Sequence, residues 1–424
     1  MITSNARAEP DIDLAGSLFC ELALRTGDGD GITRISFGEG EQFAHDLLRR
    51  EGGRLGLRVE SDAACNLYLT LEGRTPGHRV IIGSHLDSVP HGGNFDGAAG
   101  VLCGLSVLSG LARAGVQPPR DISVMAIRAE ESTWFAASYI GSRAAFGQLE
   151  SRELNEVRRA SDGLPLGAAI TAAGGHVEQL HAGEAQIDPA EVGLFIEPHI
   201  EQGPCLVTEN KPVGIVTGIR GSFRYRSASC TGSYAHSGAT PRHLRHDAVR
   251  ATAALVTEMD EVWDEAELNG DDLAITFGKL ATDPGEHAFS KVAGRADFSL
   301  DVRSQSSARL EQVASELSGL VERLSRQYSV RFDLGPRTGT FPALMDRGVV
   351  AALETACSVE GVPAITMPSG AGHDAAVFAG MGIPTGMLFI RNENGSHNPD
   401  ESMDIEDFAA AARVLMRICL EPPQ

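Results

Sequence analysis

The run GSHLDSVPHGGNFDGAAG, Gly83 to Gly100, lies between the apolar stretch starting at Val80 and the small-residue apolar segment Gly97 to Ala114. Val80 to Gly83 reads as a buried strand and Gly97 to Ala114 as a helix, so the run is a glycine-rich loop at a strand exit. His85 stands just past the strand end. Asp87 follows two residues later, close enough to hold the imidazole in one tautomer. Asp96 directly precedes the helix. Taken alone, the segment reads first as a polar turn with an N-capping aspartate. The rest of the chain changes that balance.

The same arrangement recurs three times. Ile122 to Ile127 leads into Glu130-Glu131, and Val192 to Ile196 leads into EPHIEQGP (Glu197 to Pro204) with His199 and Gln202. Pro384 to Ile390 leads into NGSHNPDE (Asn394 to Glu401) with His397. Helical patterns at Glu39 to Arg50, Val349 to Ser358 and Ile405 to Ile418 accompany these apolar runs. Strands separated by helices imply parallel pairing, and parallel strands send their exits to one sheet edge, where open α/β sheets place their sites. Between them the texture differs. Gly214 to Gly221, Phe223 to Thr231, Leu273 to Leu280 and Gly294 to Arg303 alternate like antiparallel strands, while Asp247 to Glu265 and Ser307 to Gln327 read as amphipathic helices. The expected fold is α/β: a mainly parallel-sheet domain of residues 1–213 and 334–424 carrying an inserted α+β domain of residues 214–333.

The 424 residues include 36 Lys and Arg against 57 Asp and Glu, a net charge of −21 that repels a phosphate backbone and argues against nucleic acid. No apolar stretch approaches the roughly 20 residues of a membrane span. The start, MITSNARAEPDIDL, lacks a basic segment followed by an apolar one, so a soluble cytoplasmic protein without membrane association is expected. The seven cysteines are scattered and free of CxxC spacing, which points to free thiols rather than a disulfide framework or thiolate zinc site.

Three histidines with two or three carboxylates and no cysteine form a ligand set for zinc or another divalent transition metal. Two ions fit if one carboxylate bridges them. A pair about 3.5–4 Å apart would polarise a carbonyl and lower the pKa of a shared water. Of the consecutive Glu130 and Glu131, one can ligate while its neighbour moves the proton.

With these motifs in place, the sequence resembles the metallohydrolases of peptidase family M20, within them the hydantoinase/carbamoylase branch. The resemblance runs from TRISFGEGEQFA (Thr33 to Ala44) to SHNPDE and is carried by GSHLDSVPHGGNFDGAAG, HIEQGP and MPSGAGHDA. It implies that His85, Asp96 and His199 hold one ion and Asp96, Glu131 and His397 the other, with Asp96 bridging and Glu130 as general base. The ions would be zinc first, with manganese, cobalt or nickel as alternatives. It also implies that the inserted domain makes a homodimer and supplies His236, in GSYAHSGATP, to polarise the substrate carbonyl. Gln202, Arg303, Gly370 and His373 match substrate contacts, Arg303 gripping a carboxylate.

The chain departs from the family pattern at three places. Ser290 stands where relatives carry an asparagine substrate contact, Ser132 and Trp134 replace a glycine and an arginine after the paired acids, and Pro198 precedes His199 in place of an aliphatic residue. Trp134 is expected to narrow the pocket or wall it with an aromatic ring. The implied activity is hydrolysis of a C–N bond in a small carboxylate-bearing ureido or amide compound, an N-carbamoyl-L-amino acid first. The alternatives are an aminoacylase or dipeptidase with the same metals, or a binding protein that has kept the scaffold without turnover.

Overall fold

The structure, a computed structural model, describes residues 8–423. It divides into two compact units, one running to Thr217 and resuming at Leu344, the other Gly218–Ala343.

The first unit is built on a nine-stranded sheet. Its four central strands lie in the order Arg120–Ile127, Thr75–His85, Val192–Ile200, Thr385–Ile390, and all run parallel. Antiparallel strands flank them, Leu67–Leu71 beside Arg120–Ile127 and Val213–Ile219 beside Thr385–Ile390. Val80 to His85, Ile122 to Ile127 and Thr385–Ile390 are buried throughout. Continuous apolar runs of this kind are what a sheet covered on both faces requires.

The helix Ala98–Arg113 covers the strands that carry the site. Every residue from Ala98 to Leu111 is buried, and its small residues let it press close to the sheet. A Cβ on Gly100 would fall 1.9 Å from the Pro198 carbonyl oxygen and 2.7 Å from Ser84 Cβ. The helix Ile405–Leu420 shares the same apolar cluster and starts on Asp404, whose side chain accepts from Glu406 N.

The second unit holds an antiparallel sheet in the order Arg331–Asp333, Gly221–Thr231, Arg295–Ser304, Ala274–Thr282. In Arg295–Ser304 the residues Ala296, Phe298, Leu300 and Val302 are buried while their neighbours are not. The helices Ala248–Asn269 and Ser307–Tyr328 close over that apolar side in one cluster. Their N-termini are capped by Asp247 and Ser306, which accept from Arg250 N and Arg309 N.

Three expectations need correction. Gly214 to Gly221 reads as the first hairpin strand of the inserted domain, yet the strand found there, Val213–Ile219, belongs to the large sheet, antiparallel to Thr385–Ile390. Six of its seven residues are buried, and a strand covered on both faces has no wet side for a small antiparallel sheet. At the other end, Thr338–Thr340 still pairs with Gly221–Thr231, so the second unit extends past residue 333 to Ala343. The third central strand also continues beyond Ile196 to Ile200, which places His199 on the strand rather than on the loop after it.

Among the described residues, no helix is long and apolar enough to cross a membrane. The close helix–sheet approach predicts opposite effects at two helical glycines. Gly100→Ala lowers stability to urea by ~1–3 kcal/mol through overpacking. Gly319→Ala, where an added Cβ meets nothing within 4 Å, raises it by ~0.5–1 kcal/mol. Equal urea midpoints for the two variants would contradict this packing.

Candidate metal centre

The site is organised from Asp87, which is fully buried. Its carboxylate accepts the Ser36 hydroxyl at 2.6 Å and the backbone N–H groups of Glu130 and Glu131, each at 3.1 Å. The same carboxylate lies 3.3 Å from Nδ1 of His85, and the Asp87 carbonyl oxygen lies 3.1 Å from it. A hydrogen on Nδ1 satisfies both and leaves Nε2 bare. In His199 the Nδ1 atom stands 2.9 Å from the Ile200 carbonyl oxygen, so Nε2 is again the bare nitrogen.

These two nitrogens meet at Asp96. His199 Nε2 is 3.2 Å and His85 Nε2 3.6 Å from Asp96 Oδ1, and the nitrogens are 3.4 Å apart. Three lone pairs directed at one another repel unless a proton or cation lies among them. Asp96 Oδ1 is buried and has no hydrogen-bond partner, a condition that metal ligation relieves. The other oxygen, Oδ2, faces a different group: His397 Nε2 lies 3.3 Å away, and that nitrogen is 3.4 Å from Glu131 Oε1. Each of the two sets, His85–Asp96–His199 and Asp96–Glu131–His397, offers ligand atoms within 4.8 Å of one another. The donor set therefore fits two divalent ions sharing one carboxylate.

Glu130 and Glu131 point to different histidines. Glu131 turns to His397, while Glu130 Oε2 lies 3.9 Å from His85 Nε2. Ala129, just before them, takes a left-handed φ of 53°. It is held there by Glu41, which accepts Ala129 N at 2.9 Å and Arg128 Nη1 at 2.8 Å. Gly97 has a φ of 67°, and a Cβ there would lie 2.5 Å from the His85 ring.

Burial, then neighbouring charges, sets the proton affinities. Burial pushes Glu130 well above the usual carboxylate range and takes Glu131 up to about 7, with Asp96 adding to the latter. For Asp96 burial works the same way but is outweighed by the imidazoles of His199, His397 and His85 around it, leaving it well below its ordinary value. His397 is held up at about 9, first by its hydrogen bond to Asp96. Buried acids of raised pKa around an ionised carboxylate and a protonated imidazole form a cluster in which a divalent cation can replace the protons.

Gln202, at a φ of 65°, donates its side-chain N–H to Asp96 Oδ2 at 2.9 Å. His373 lies with its ring 4.6 Å from that of His199 and Nε2 2.9 Å from Ser369 Oγ. Gly370 is exposed just past the strand Ala364–Ser369. Three further expected contacts belong to the second unit. His236 is exposed, and its Nδ1 accepts from Gly238 N and Ala239 N, which puts the ring hydrogen on Nε2. Ser290 accepts Ser237 N through its carbonyl, and Arg303 donates Nε and Nη2 to Asp301 Oδ2 at 3.1 and 2.8 Å.

Trp134 corrects an expectation. It is 7% exposed and donates Nε1–H to the Ser88 carbonyl at 2.7 Å, so it braces the loop after Asp87 from within an apolar cluster instead of walling a pocket. An indole whose N–H is satisfied by backbone is stable when buried. The sequence reading also passed over Glu197, Ser396 and Glu401. Glu197 lies within 4.8 Å of His199 and His373, fully buried, with Oε2 accepting Ala375 N at 2.6 Å. Its position two residues before His199 was the available signal.

Residues 81–421 match the family model described as peptidase family M20/M25/M40. The N-carbamoyl-L-amino acid amidohydrolase of Geobacillus stearothermophilus is 37% identical over 387 residues, which cover 91% of this chain and 92% of the relative. The allantoate amidohydrolase of Escherichia coli strain K12 is 31% identical over 388 residues, covering 91% of each chain. Among solved structures, an amidase of the hydantoinase/carbamoylase family from Burkholderia multivorans superposes with a TM-score of 0.86 at 28% identity, covering 98% of each chain.

Cation binding at this cluster predicts a thermal shift. Adding zinc or manganese to chelator-treated protein raises the unfolding midpoint, by ~2.7 kcal/mol of linkage at one hundred times the Kd. Asp96→Ala abolishes most of that shift. A wild-type midpoint that ignores both cations contradicts the cation reading.

Proposed function

The chain belongs to peptidase family M20/M25/M40, and from that premise we propose that it is a dinuclear metal-dependent amidohydrolase acting on a small carboxylate-bearing ureido or amide compound, an N-carbamoyl-L-amino acid first. His85, Asp96 and His199 would hold one divalent ion and Asp96, Glu131 and His397 the second, zinc in first place, with manganese, cobalt and nickel suited to the same ligands. Bound there, such a pair polarises a carbonyl group and makes water acidic enough to attack it near neutral pH. The observation that carries this reading is that the two carboxylate oxygens of Asp96 face two separate ligand groups.

The chain's own residues account for orientation and proton movement. Glu130 stands beside the ligand groups, with its carboxylate near His85 and its backbone N–H on Asp87. It takes a proton from the attacking water and returns it to the departing nitrogen. His236, with its hydrogen on Nε2, donates to the carbonyl oxygen as negative charge develops there. Arg303 grips the substrate carboxylate with its planar fork of donors, and Gln202 and His373 line the substrate beside the ligands. Ser290, Gly370 and the second unit's surface complete the contacts, with the second unit also forming a homodimer. The free cysteines agree with a cytoplasmic location.

A carbamoyl substrate yields ammonia, carbon dioxide and the amino acid. Release of ammonia from N-carbamoyl-L-amino acids by metal-loaded protein therefore supports this assignment. Release of acetate from N-acetyl compounds, or of two amino acids from dipeptides, with no ammonia, would replace it with an aminoacylase or dipeptidase. Glu130→Gln is expected to retain its metal and lose activity by a factor of roughly 10² to 10⁴, and near-normal turnover would remove Glu130 from proton transfer. Arg303→Ala is expected to raise KM for carboxylate substrates, whereas unchanged KM and kcat would reject its role.

A further inference from the structure

Glu401 is 6% exposed and belongs to neither ligand group. Its Oε1 accepts the backbone N–H groups of Phe95 at 2.8 Å and Asp96 at 3.1 Å. Its Oε2 faces the Ser396 hydroxyl at 2.6 Å, and that hydroxyl is also 2.6 Å from Asp96 Oδ2. Glu401 thus holds Asp96 directly through the backbone, and it shares with the Asp96 carboxylate the Ser396 hydroxyl, whose single hydrogen serves one of the two acceptors at a time. The loop wraps it closely, since a Cβ on Gly93 would fall 2.1 Å from Glu401 Oε1.

The segment on the other side of this contact is strained. Asn394 and His397 both sit at left-handed φ, 65° and 61°, a strained backbone that surrounding bonds must offset. Asn392 Nδ2 donates to the Gly395 carbonyl at 2.6 Å and Asn398 Nδ2 to the Asn394 carbonyl at 2.9 Å, both within the segment. The Ser396–Glu401 contact ties that segment to the loop of Asp96.

We propose that Glu401 is a positioning residue that sets the placement of Asp96 against His397, and thereby the affinity of the Asp96–Glu131–His397 group for its cation. This rests on the reading of that group as a cation site. Because Glu401 acts from behind the backbone, its loss loosens two ligands without removing either. Outer hydrogen bonds of this kind govern metal affinity by a factor of about 10–100.

The test is calorimetric titration of chelator-treated full-length protein with manganese ions alone, for wild type, Glu401→Gln and Ser396→Ala. The amide introduced by Glu401→Gln keeps a carbonyl oxygen for the Phe95 and Asp96 N–H groups but removes the charge that strengthens those bonds, and it gives Ser396 a donor in place of an acceptor. The expected result is two binding events in wild type, one of them weakened about 10–100-fold in Glu401→Gln and in the same direction in Ser396→Ala, the other, which shares Asp96 but not His397, weakened less. A role confined to stability would lower the thermal midpoint and leave both dissociation constants at wild-type values, and that result overturns the proposal. If Glu401→Gln does not fold, Ser396→Ala decides, since it keeps the buried carboxylate and its backbone bonds. Wild-type protein that binds no manganese would instead defeat the cation reading itself, whatever the variants do.

Discussion

The costly feature of this molecule is the concentration of buried carboxyl and imidazole groups at one sheet edge. Asp87, Asp96 and His85 are at most 3% exposed, and Glu131 only 7%. Ionised groups in that setting are strongly disfavoured unless paired or bound to metal. Asp96 is the point where the cost concentrates, with one oxygen facing two bare imidazole nitrogens and the other facing a third histidine. A pair of cations shared by this carboxylate would turn mutual repulsion into ligation, and the proposed chemistry would use that same charge.

Around this cluster the backbone itself is held by carboxylates that do not belong to the proposed ligands. Asp87 collects the N–H groups of Glu130 and Glu131, Glu41 those of Phe37 and Ala129, and Glu401 those of Phe95 and Asp96. Arg34, fully buried, donates to the Leu86 carbonyl and to Asn94, placing a fixed positive charge beneath the same loop. Hydrogen bonds between a carboxylate and backbone N–H groups are charge-assisted and shorter than neutral ones. They let a non-glycine residue such as Ala129 keep left-handed backbone that would otherwise relax.

Much of this was legible in the chain. The strands ending at Ile127 and Ile390 announce themselves as apolar runs of buried-strand length, Val80 to Gly83 marks the buried part of a strand that runs on to His85, and the polar residues at and after these ends are the proposed ligands. Sequence pattern ends the third strand at Ile196, short of its true end at Ile200, because Pro198 sits in a central strand where proline is rarely found. The boundary of the second unit is misplaced for a related reason: Val213–Ile219 consists of glycine and β-branched residues, and local pattern cannot say which sheet will cover it. Trp134 is expected in the pocket because exposure cannot be read from residue type, and the bond to Ser88 that draws it inward joins positions 46 apart. Glu401 is invisible for the same reason, since its partners Phe95 and Asp96 lie more than 300 residues away.

The account stands on Asp96 serving two ions at once. Anomalous diffraction at the metal edge from crystals grown with zinc or manganese tests this most directly. The account predicts two peaks about 3.5–4 Å apart, one on each side of the Asp96 carboxylate, with His85 and His199 against the first and Glu131 and His397 against the second. A single peak, or a pair ligated by other residues, would contradict it.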